Sequence, residues 1–177
     1  FYSYQQFGKN YAKIPTKVLL YRYNNIIKLL TKYGYIENGA LTVKGHFSSH
    51  IFADEITMGE IFATEVVDKL DEYQILLLLC ALAYEARIGH EFKEVFKNEQ
   101  LHNLIQTLRE NQYLSGENKF ENLRIITPLI YPIYHGKSFF EVLKLTNLLE
   151  GDLIRLYAQI LDRIGQIRKA STDFKVL

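Results

Sequence analysis

The chain has 177 residues, of which 48% are apolar and 23% charged, with a formal net charge of +1. That length supports one large domain or two small ones with a sizeable core. The near-neutral charge excludes a protein that coats nucleic acid by bulk charge alone. The longest apolar run, Ile75 to Tyr84, is far shorter than the ~18 residues of a membrane span, so we expect no membrane contact.

Cysteine content and charge distribution give two further expectations. Cys80 is the one cysteine, which excludes a disulfide and predicts a reducing, cytoplasmic location. Residues 1–45 hold seven basic residues against one acidic residue, whereas residues 46–100 hold four against eleven. Residues 137–177 are again mildly basic, so local phosphate contacts are possible at both ends. Because the chain begins with Phe1 and not Met, we expect a fragment or a processed product.

The first third of the chain predicts one helix and one hairpin. Residues 1–13 are rich in Tyr and Lys without periodicity, which indicates a segment that packs on another element. A helix follows from Pro15, with Thr16 as a candidate cap, and ends at Lys32-Tyr33-Gly34. Its predicted buried side is Val18, Leu19, Tyr21, Ile26, Ile27, Leu29 and Leu30. Asn38-Gly39 between two apolar dipeptides predicts a tight hairpin.

The middle of the chain predicts a series of helices around one apolar helix. The helix from Glu72 to about Ile88 is apolar almost all round, so we expect it at the centre, capped by Asp71. Thr57 and Glu60 have capping-box spacing near the start of the preceding helix. The other predicted helices run from Thr42 to about Phe52, Asp54 to Leu70, Val95 to Leu114, and Glu121 to Tyr134 with a bend at Pro128 and Pro132. Ser115 to Asn118 is the predicted main surface loop.

The C-terminal region predicts a short capped helix, a turn and a long amphipathic helix. Ser138 and Glu141 have capping-box spacing, and Glu150 and Asp152 place negative charge at the positive end of the long helix. Its predicted buried face is Leu149, Leu153, Leu156, Tyr157, Ile160, Ile164 and Ile167. Its predicted exposed polar face is Asp152, Arg155, Gln159, Asp162, Arg163 and Gln166. Together the patterns predict an all-α, compact bundle of about seven to eight helices, with one small hairpin near residue 38, forming a single domain over 1–177.

Recognisable catalytic chemistry is missing from the sequence. His46 and His50 are four residues apart, but the glutamate of a zinc HExxH motif and a third ligand are lacking. Glu99 and His102 form one Glu-x-x-His pair where a di-iron bundle needs two. Cys80 lies among apolar residues that disfavour a thiolate nucleophile. No phosphate-binding loop or nucleophile motif is present, so we expect no catalytic residue and no metal site.

The C-terminal helix pair leaves several functions open. Residues 138–167 have the organisation of a corner of a helical bundle, of a DNA-reading helix-turn-helix, or of a support for a single nucleic-acid strand. A helix-turn-helix regulator would need more basic residues on its long helix than Arg155 and Arg163. A bundle used only for protein interaction would bind no nucleic acid.

Five motifs in order resemble one family. These are Leu41-Thr42-x-Lys44-Gly45, the pair Glu55 and Glu60, Tyr84-Glu85-Ala86-Arg87, Gly136-x-Ser138-Phe139-x-Glu141-Val142, and Glu150-Gly151-Asp152-Leu153-Ile154-Arg155. In this order they resemble the DSHCT domain, the C-terminal helical domain of the DOB/Ski/HelY group of superfamily-two helicases. The resemblance extends from about Lys17 to Ile167.

The resemblance implies a function that composition does not. Members are ATP-dependent RNA helicases that feed RNA processing or decay complexes. In each member, two RecA-like motor domains hydrolyse ATP, with Mg as the expected ion. The DSHCT domain completes a ring around single-stranded RNA, and its long "ratchet" helix faces the strand. Carried over here, Glu150, Gly151 and Asp152 match the start of that helix. The RNA-facing positions are then Gln159 and Asp162, with Arg155, Arg163 and Gln166 beside them. Many members have a basic residue where this chain has Gln159.

Overall fold

The computed structural model describes residues 16–174, so the expected packing of residues 1–13 lies outside the described residues. Over residues 16–174 the structure is all-α with one two-stranded sheet, which confirms the predicted fold class. In order, the elements are α1 (Thr16–Lys32), β1 (Ile36–Glu37), β2 (Ala40–Leu41), α2 (Val43–Ser49), α3 (Glu55–Phe62), α4 (Glu72–Ala83), α5 (Glu99–Glu110), α6 (Thr127–Tyr134), α7 (Phe139–Leu143) and α8 (Glu150–Phe174). Short 3-10 helices cover Val67–Lys69, Leu114–Gly116 and Asn118–Arg124. Among the described residues, no helix combines the length and the apolar character needed to cross a membrane.

Two compact units divide the chain, residues 1–46 and residues 47–177. In the first unit, Asn38 (φ 51°) and Gly39 (φ 79°) form the turn that joins β1 to β2, with Ile36 opposite Leu41. Positive φ at both turn positions is the reason that Asn-Gly suits a two-residue hairpin. The predicted hairpin is therefore confirmed.

Thr42 begins the next helix in the predicted way. Its hydroxyl oxygen accepts a hydrogen bond from the Gly45 amide at 3.1 Å and donates to the Gly34 carbonyl at 2.7 Å. This satisfies one of the free amides at the start of α2. The helix ends at Ser49, three residues before the predicted end at Phe52.

The predicted buried side of α1 is wrong. Val18, Leu19, Tyr21, Ile26 and Leu29 are between 41% and 67% exposed, and only Ile27 and Leu30 are partly buried. The hairpin contacts α1 near its C-terminal end, where the Tyr35 amide donates to the Leu30 carbonyl at 2.8 Å. Four strand residues are too few to cover a 17-residue helix, so most of its apolar residues stay exposed.

The second unit is built around α4, as its all-round apolar sequence predicts. Leu77 through Ala81 have no exposed surface, and α8, α6 and the 118–124 segment pack against this helix. Asp71 caps it through reciprocal bonds with Gln74, each of 2.8 Å. The helix ends at Ala83 and not at Ile88.

Four predicted elements in this unit differ from the structure in their bounds. The helix predicted over 54–70 is divided into α3 and a 3-10 turn, and Thr57 lies inside α3, where it cannot act as a cap. Its hydroxyl instead donates to Glu117 Oε2 at 2.9 Å. The helix predicted over 95–114 begins at Glu99, because Asn98 caps it. The predicted loop 115–118 covers the end of one 3-10 helix, Glu117 and the first residue of the next 3-10 helix. Helix α6 begins at Thr127, with Pro128 in its first turn, and continues through Pro132 without an interruption.

The predicted Ser138–Glu141 capping box is present. The Glu141 carboxylate accepts from the Ser138 amide at 3.0 Å and from its hydroxyl at 3.4 Å. The bond from the Ser138 amide, followed by the charges of Lys137 and Lys144, lowers the pKa of Glu141. This arrangement starts the five-residue helix α7.

Candidate nucleic-acid interface

A tight loop fixes the start of α8. The segment Gly89–Lys93 pairs with residues 145–147: the Lys93 amide donates to the Leu145 carbonyl at 2.9 Å, and the Asn147 amide nitrogen Nδ2 donates to the Gly89 carbonyl at 2.6 Å. Three residues later α8 begins, with Glu150, Gly151 and Asp152 in its first turn. The two carboxylates there oppose the partial positive charge of the helix end, as predicted.

The buried face of α8 matches the predicted pattern at most positions. Leu153, Leu156, Ile160 and Ile167 are no more than 8% exposed. Leu149 is 73% exposed because it precedes the helix, and Ile164 is 37% exposed at the edge of the buried face, so these two assignments are wrong. The helix is therefore fixed to the core along most of its length.

The outward face of α8 carries a row of polar side chains that we call the polar stripe: Arg155, Gln159, Asp162 and Gln166. The first three are exposed and Gln166 is partly exposed. Successive spacings of four, three and four residues place them on one side of the helix over about 16 Å. Arg155 Nη2 donates to the partly buried Asp152 Oδ1 at 3.1 Å, and Gln166 Nε2 donates to Asp162 Oδ2 at 2.6 Å.

Arg163 is the predicted polar-face residue that the structure places elsewhere. Its side chain is only 11% exposed, and its Nη2 pairs with Asp54 Oδ2 at 2.7 Å. Asp54 also receives Lys119 Nζ at 2.6 Å, so the three side chains form one ion cluster, the Asp54 clamp. Arg163 lies about 80° around the helix from Arg155, on the border with the buried face, which explains why periodicity alone misplaced it.

A small groove beside the first half of α8 adds residues to which the sequence analysis gave no binding role. It has a volume of about 80 Å³ and is lined by Arg155 and Gln159 of α8 and by Tyr84, Arg87 and His90 of the segment after α4. The Tyr84 hydroxyl and His90 Nδ1 are 2.9 Å apart, and burial raises the pKa of Tyr84. Because the sequence predicted that the central helix continues to about Ile88, these residues were not expected to form a turn beside α8. Gly89, with φ 91°, lies in a turn six residues past the end of the helix and favours a helix end at Ile88, so it does not mark the end at Ala83.

The charged groups of this region can form binding contacts. Arg87 and Arg155 provide two cations, each also near a carboxylate: Glu85 at 4.0 Å and Asp152 at 3.1 Å. Within residues 16–174, no three His, Cys, Asp or Glu side chains group as metal ligands. Cys80 is buried, and burial raises the pKa of its thiol, so it is no nucleophile.

These features define an all-α domain in which one long helix is anchored to a core and presents polar groups outward. The sequence model of the DSHCT (NUC185) domain matches residues 38–175, and the chain belongs to that family. It is thus a helicase-associated C-terminal domain, as its motifs predict. A curated relative is mRNA transport homolog 4 of Caenorhabditis elegans, which is 23% identical over 164 residues. The alignment covers 84% of this chain and 16% of that protein, so the chain spans a small part of its relative.

Proposed function

We propose that this chain is the RNA-guiding domain at the C-terminal end of a superfamily-two, ATP-dependent RNA helicase. In this proposal, α8 braces single-stranded RNA while the strand is unwound and moved. The observation that carries the proposal is the polar stripe: Arg155, Gln159 and Asp162 are exposed on a helix whose opposite face is buried against α4. Membership of the DSHCT family supports it over a helix-turn-helix regulator.

The composition of the stripe suits contacts that form and break in every cycle. A helicase must release the strand as often as it holds it, so strong base-specific contacts would slow it. Gln159 offers an amide that can bond a phosphate, a 2′-hydroxyl or a base edge. Arg155 and Asp162 carry opposite charges, which leaves the stripe nearly neutral and limits the electrostatic contribution to binding.

The groove beside the stripe extends the proposed RNA path. Arg87 lines the same groove as Arg155 and would supply a second cation for the phosphate backbone. The aromatic pair Tyr84 and His90, with ring centroids 5.8 Å apart, also lines the groove. The strand would therefore pass along the N-terminal half of α8 before it reaches Asp162.

The proposal places this domain in a larger polypeptide. Two RecA-like motor domains with ATP and Mg would provide the activity, and the isolated domain would hydrolyse no ATP. Ile154 and Leu161, 53% and 68% exposed on the flank of α8, are apolar groups available to pack on another domain. An RNA-processing or RNA-decay complex in the cytoplasm is the proposed setting.

Strand displacement by the natural polypeptide tests the proposal. We expect Gln159→Ala with Asp162→Ala to reduce unwinding on the order of tenfold, since each polar contact contributes about 0.5–1.5 kcal/mol. The matched control is Asn103→Ala with Gln106→Ala, which truncates two exposed polar residues of α5. The melting temperature should change little in both variants. If the unwinding rate of the stripe variant falls only as far as its melting temperature does, the stripe has a structural role and does not contact RNA.

A further inference from the structure

Phe52 is an exposed aromatic residue in the connection between α2 and α3. Its side chain is 82% exposed. A single exposed apolar residue is common on protein surfaces and has no meaning alone. The position of Phe52 gives it meaning, because the backbone around it is bonded to the same part of α8 that carries the polar stripe.

Three consecutive residues tie this connection to α8. The Phe52 amide donates to Gln166 Oε1 at 3.0 Å, and the Ala53 carbonyl accepts from Arg163 Nη1 at 3.4 Å. The next residue, Asp54, is held by Arg163 and Lys119 in the Asp54 clamp. Asp54 has a φ of 57°, a conformation that non-glycine residues seldom adopt unless the surroundings hold them there. The backbone that carries Phe52 is thus fixed beside the C-terminal end of the stripe.

We infer that Phe52 is a stacking platform for a base of the single-stranded RNA that the stripe braces. This inference rests on the proposed function of α8. Gln166, which holds the Phe52 amide, also bonds Asp162 of the stripe at 2.6 Å, so the ring and the stripe share one support. The stripe supplies polar contacts, and the ring supplies a flat apolar surface that every base can stack on.

Stacking fits the requirements of a guide that reads no sequence. All four bases have a π-face, so a strand can pass the ring one base at a time. The nearly neutral stripe provides little charge attraction, so a stacking contact would make a large share of the affinity. An aromatic ring on a fixed backbone also loses little conformational freedom when a base binds.

A tryptophan probe tests the stacking directly. The 177-residue chain has no tryptophan, so Phe52→Trp makes position 52 the only source of indole emission. We expect a single-stranded oligouridine to quench this emission, and an abasic strand of the same length to leave it nearly unchanged. Phe140→Trp is the control, since Phe140 is 68% exposed on α7. Equal quenching by the oligouridine at positions 52 and 140 would overturn the inference.

Substitutions at position 52 separate stacking from other uses of the ring. Fluorescence anisotropy with labelled oligouridine should show binding weakened on the order of tenfold in Phe52→Ala and Phe52→Leu, with Phe52→Tyr close to wild type. If Phe52→Leu or Phe52→Ala binds the oligouridine as tightly as wild type, the ring is not a stacking platform. A ring that docks on a protein surface would tolerate leucine in this way.

The failure of this inference differs from the failure of the proposed function. If the wild-type chain binds single-stranded RNA and the stripe variant Gln159→Ala/Asp162→Ala weakens it, while Phe52→Ala does not, only the stacking role is wrong. If the wild-type chain shows no binding of single-stranded RNA, both are wrong. Circular dichroism of each variant should match wild type, because an 82% exposed side chain contributes little to the core.

Discussion

Arg163→Met is the substitution for which the structure gives the most definite energetic expectation. It removes the guanidinium that pairs with Asp54 at 2.7 Å, where the side chains of Arg163 and Asp54 are 11% and 15% exposed. Breaking a buried pair by removing one partner costs about 3–5 kcal/mol. Here Asp54 keeps Lys119 at 2.6 Å, so the orphaned carboxylate is still partly compensated. We therefore expect a smaller loss in the free energy of unfolding, about 2–3 kcal/mol.

The matched control is Arg155→Met on the same helix. Arg155 is 58% exposed and its pair with Asp152 is screened by water, so its loss should change stability by less than about 0.5 kcal/mol. Urea unfolding followed by far-ultraviolet circular dichroism measures both variants. The melting temperature of Arg163→Met should fall by about 4–12 °C for a chain of this size. If the two variants lose equal stability, the Asp54 clamp does not anchor α8.

Three further predictions concern the hairpin and the core. Gly45→Ala should lower the free energy of unfolding by more than about 1 kcal/mol, because a Cβ at this position would clash with the Tyr35 carbonyl oxygen. In the control Gly151→Ala, the added Cβ has no neighbour within 4 Å, so this variant should be neutral or slightly stabilising. Cys80 should react with a thiol reagent only after urea unfolding, since the residue is fully buried and burial raises its pKa; rapid labelling of the native chain would contradict its placement. Burial raises the pKa of Tyr73 to about 12 from an ordinary value of 10.0, so its neutral form stabilises the fold below pH 10 and that contribution is lost as the pH rises towards 12. Between pH 10 and 12, the free energy of unfolding measured with urea should therefore fall less for Tyr73→Phe than for wild type. If the free energies of the two proteins fall in parallel with pH, the pKa of Tyr73 is not raised.

The Asp54 clamp also gives the proposed RNA-binding surface its rigidity. Arg163 and Lys119 both approach the Leu82 carbonyl near the end of α4, at 3.5 and 3.2 Å, as well as Asp54. One cluster thus joins α8, the end of the central helix and the connection that carries Phe52. A helix that resists a moving strand needs such an anchor, since a displacement of about 1 Å disturbs a polar contact.

Local sequence signals predicted the elements that local energetics decide. Asn38-Gly39 specified the hairpin because its backbone conformations are available to those two residues. The apolar run from Ile75 identified the central helix because no polar face was left for water. Asp71 marked its start because the cap lies within one turn of the chain. Ends of helices were less predictable, as at Ala83, where the chain turns to form the groove.

The rest depended on contacts between distant residues. Arg163 and Asp54 are 109 positions apart, and periodicity cannot show that a border position on α8 faces a carboxylate at the start of α3. The same holds for Phe52, whose neighbour on α8 is 114 positions away. The apolar face of α1 was wrongly predicted to be buried. An amphipathic pattern shows which face of a helix is apolar, but it does not show whether another element covers that face. Polar-face assignments were therefore correct at the middle of the stripe and wrong at its edge.

Photo-crosslinking of the chain to a single-stranded RNA that contains 4-thiouridine shows which residues contact the strand, and so tests whether α8 guides RNA. Mass spectrometry of the crosslinked peptides locates the contacted residues without assuming which of them bind. We expect crosslinks in the peptides that carry Arg155 to Gln166 and Phe52, and we expect them to be lost when unlabelled competitor is added. Crosslinks confined to other surfaces, such as the exposed side of α5, would contradict the proposal that α8 guides RNA.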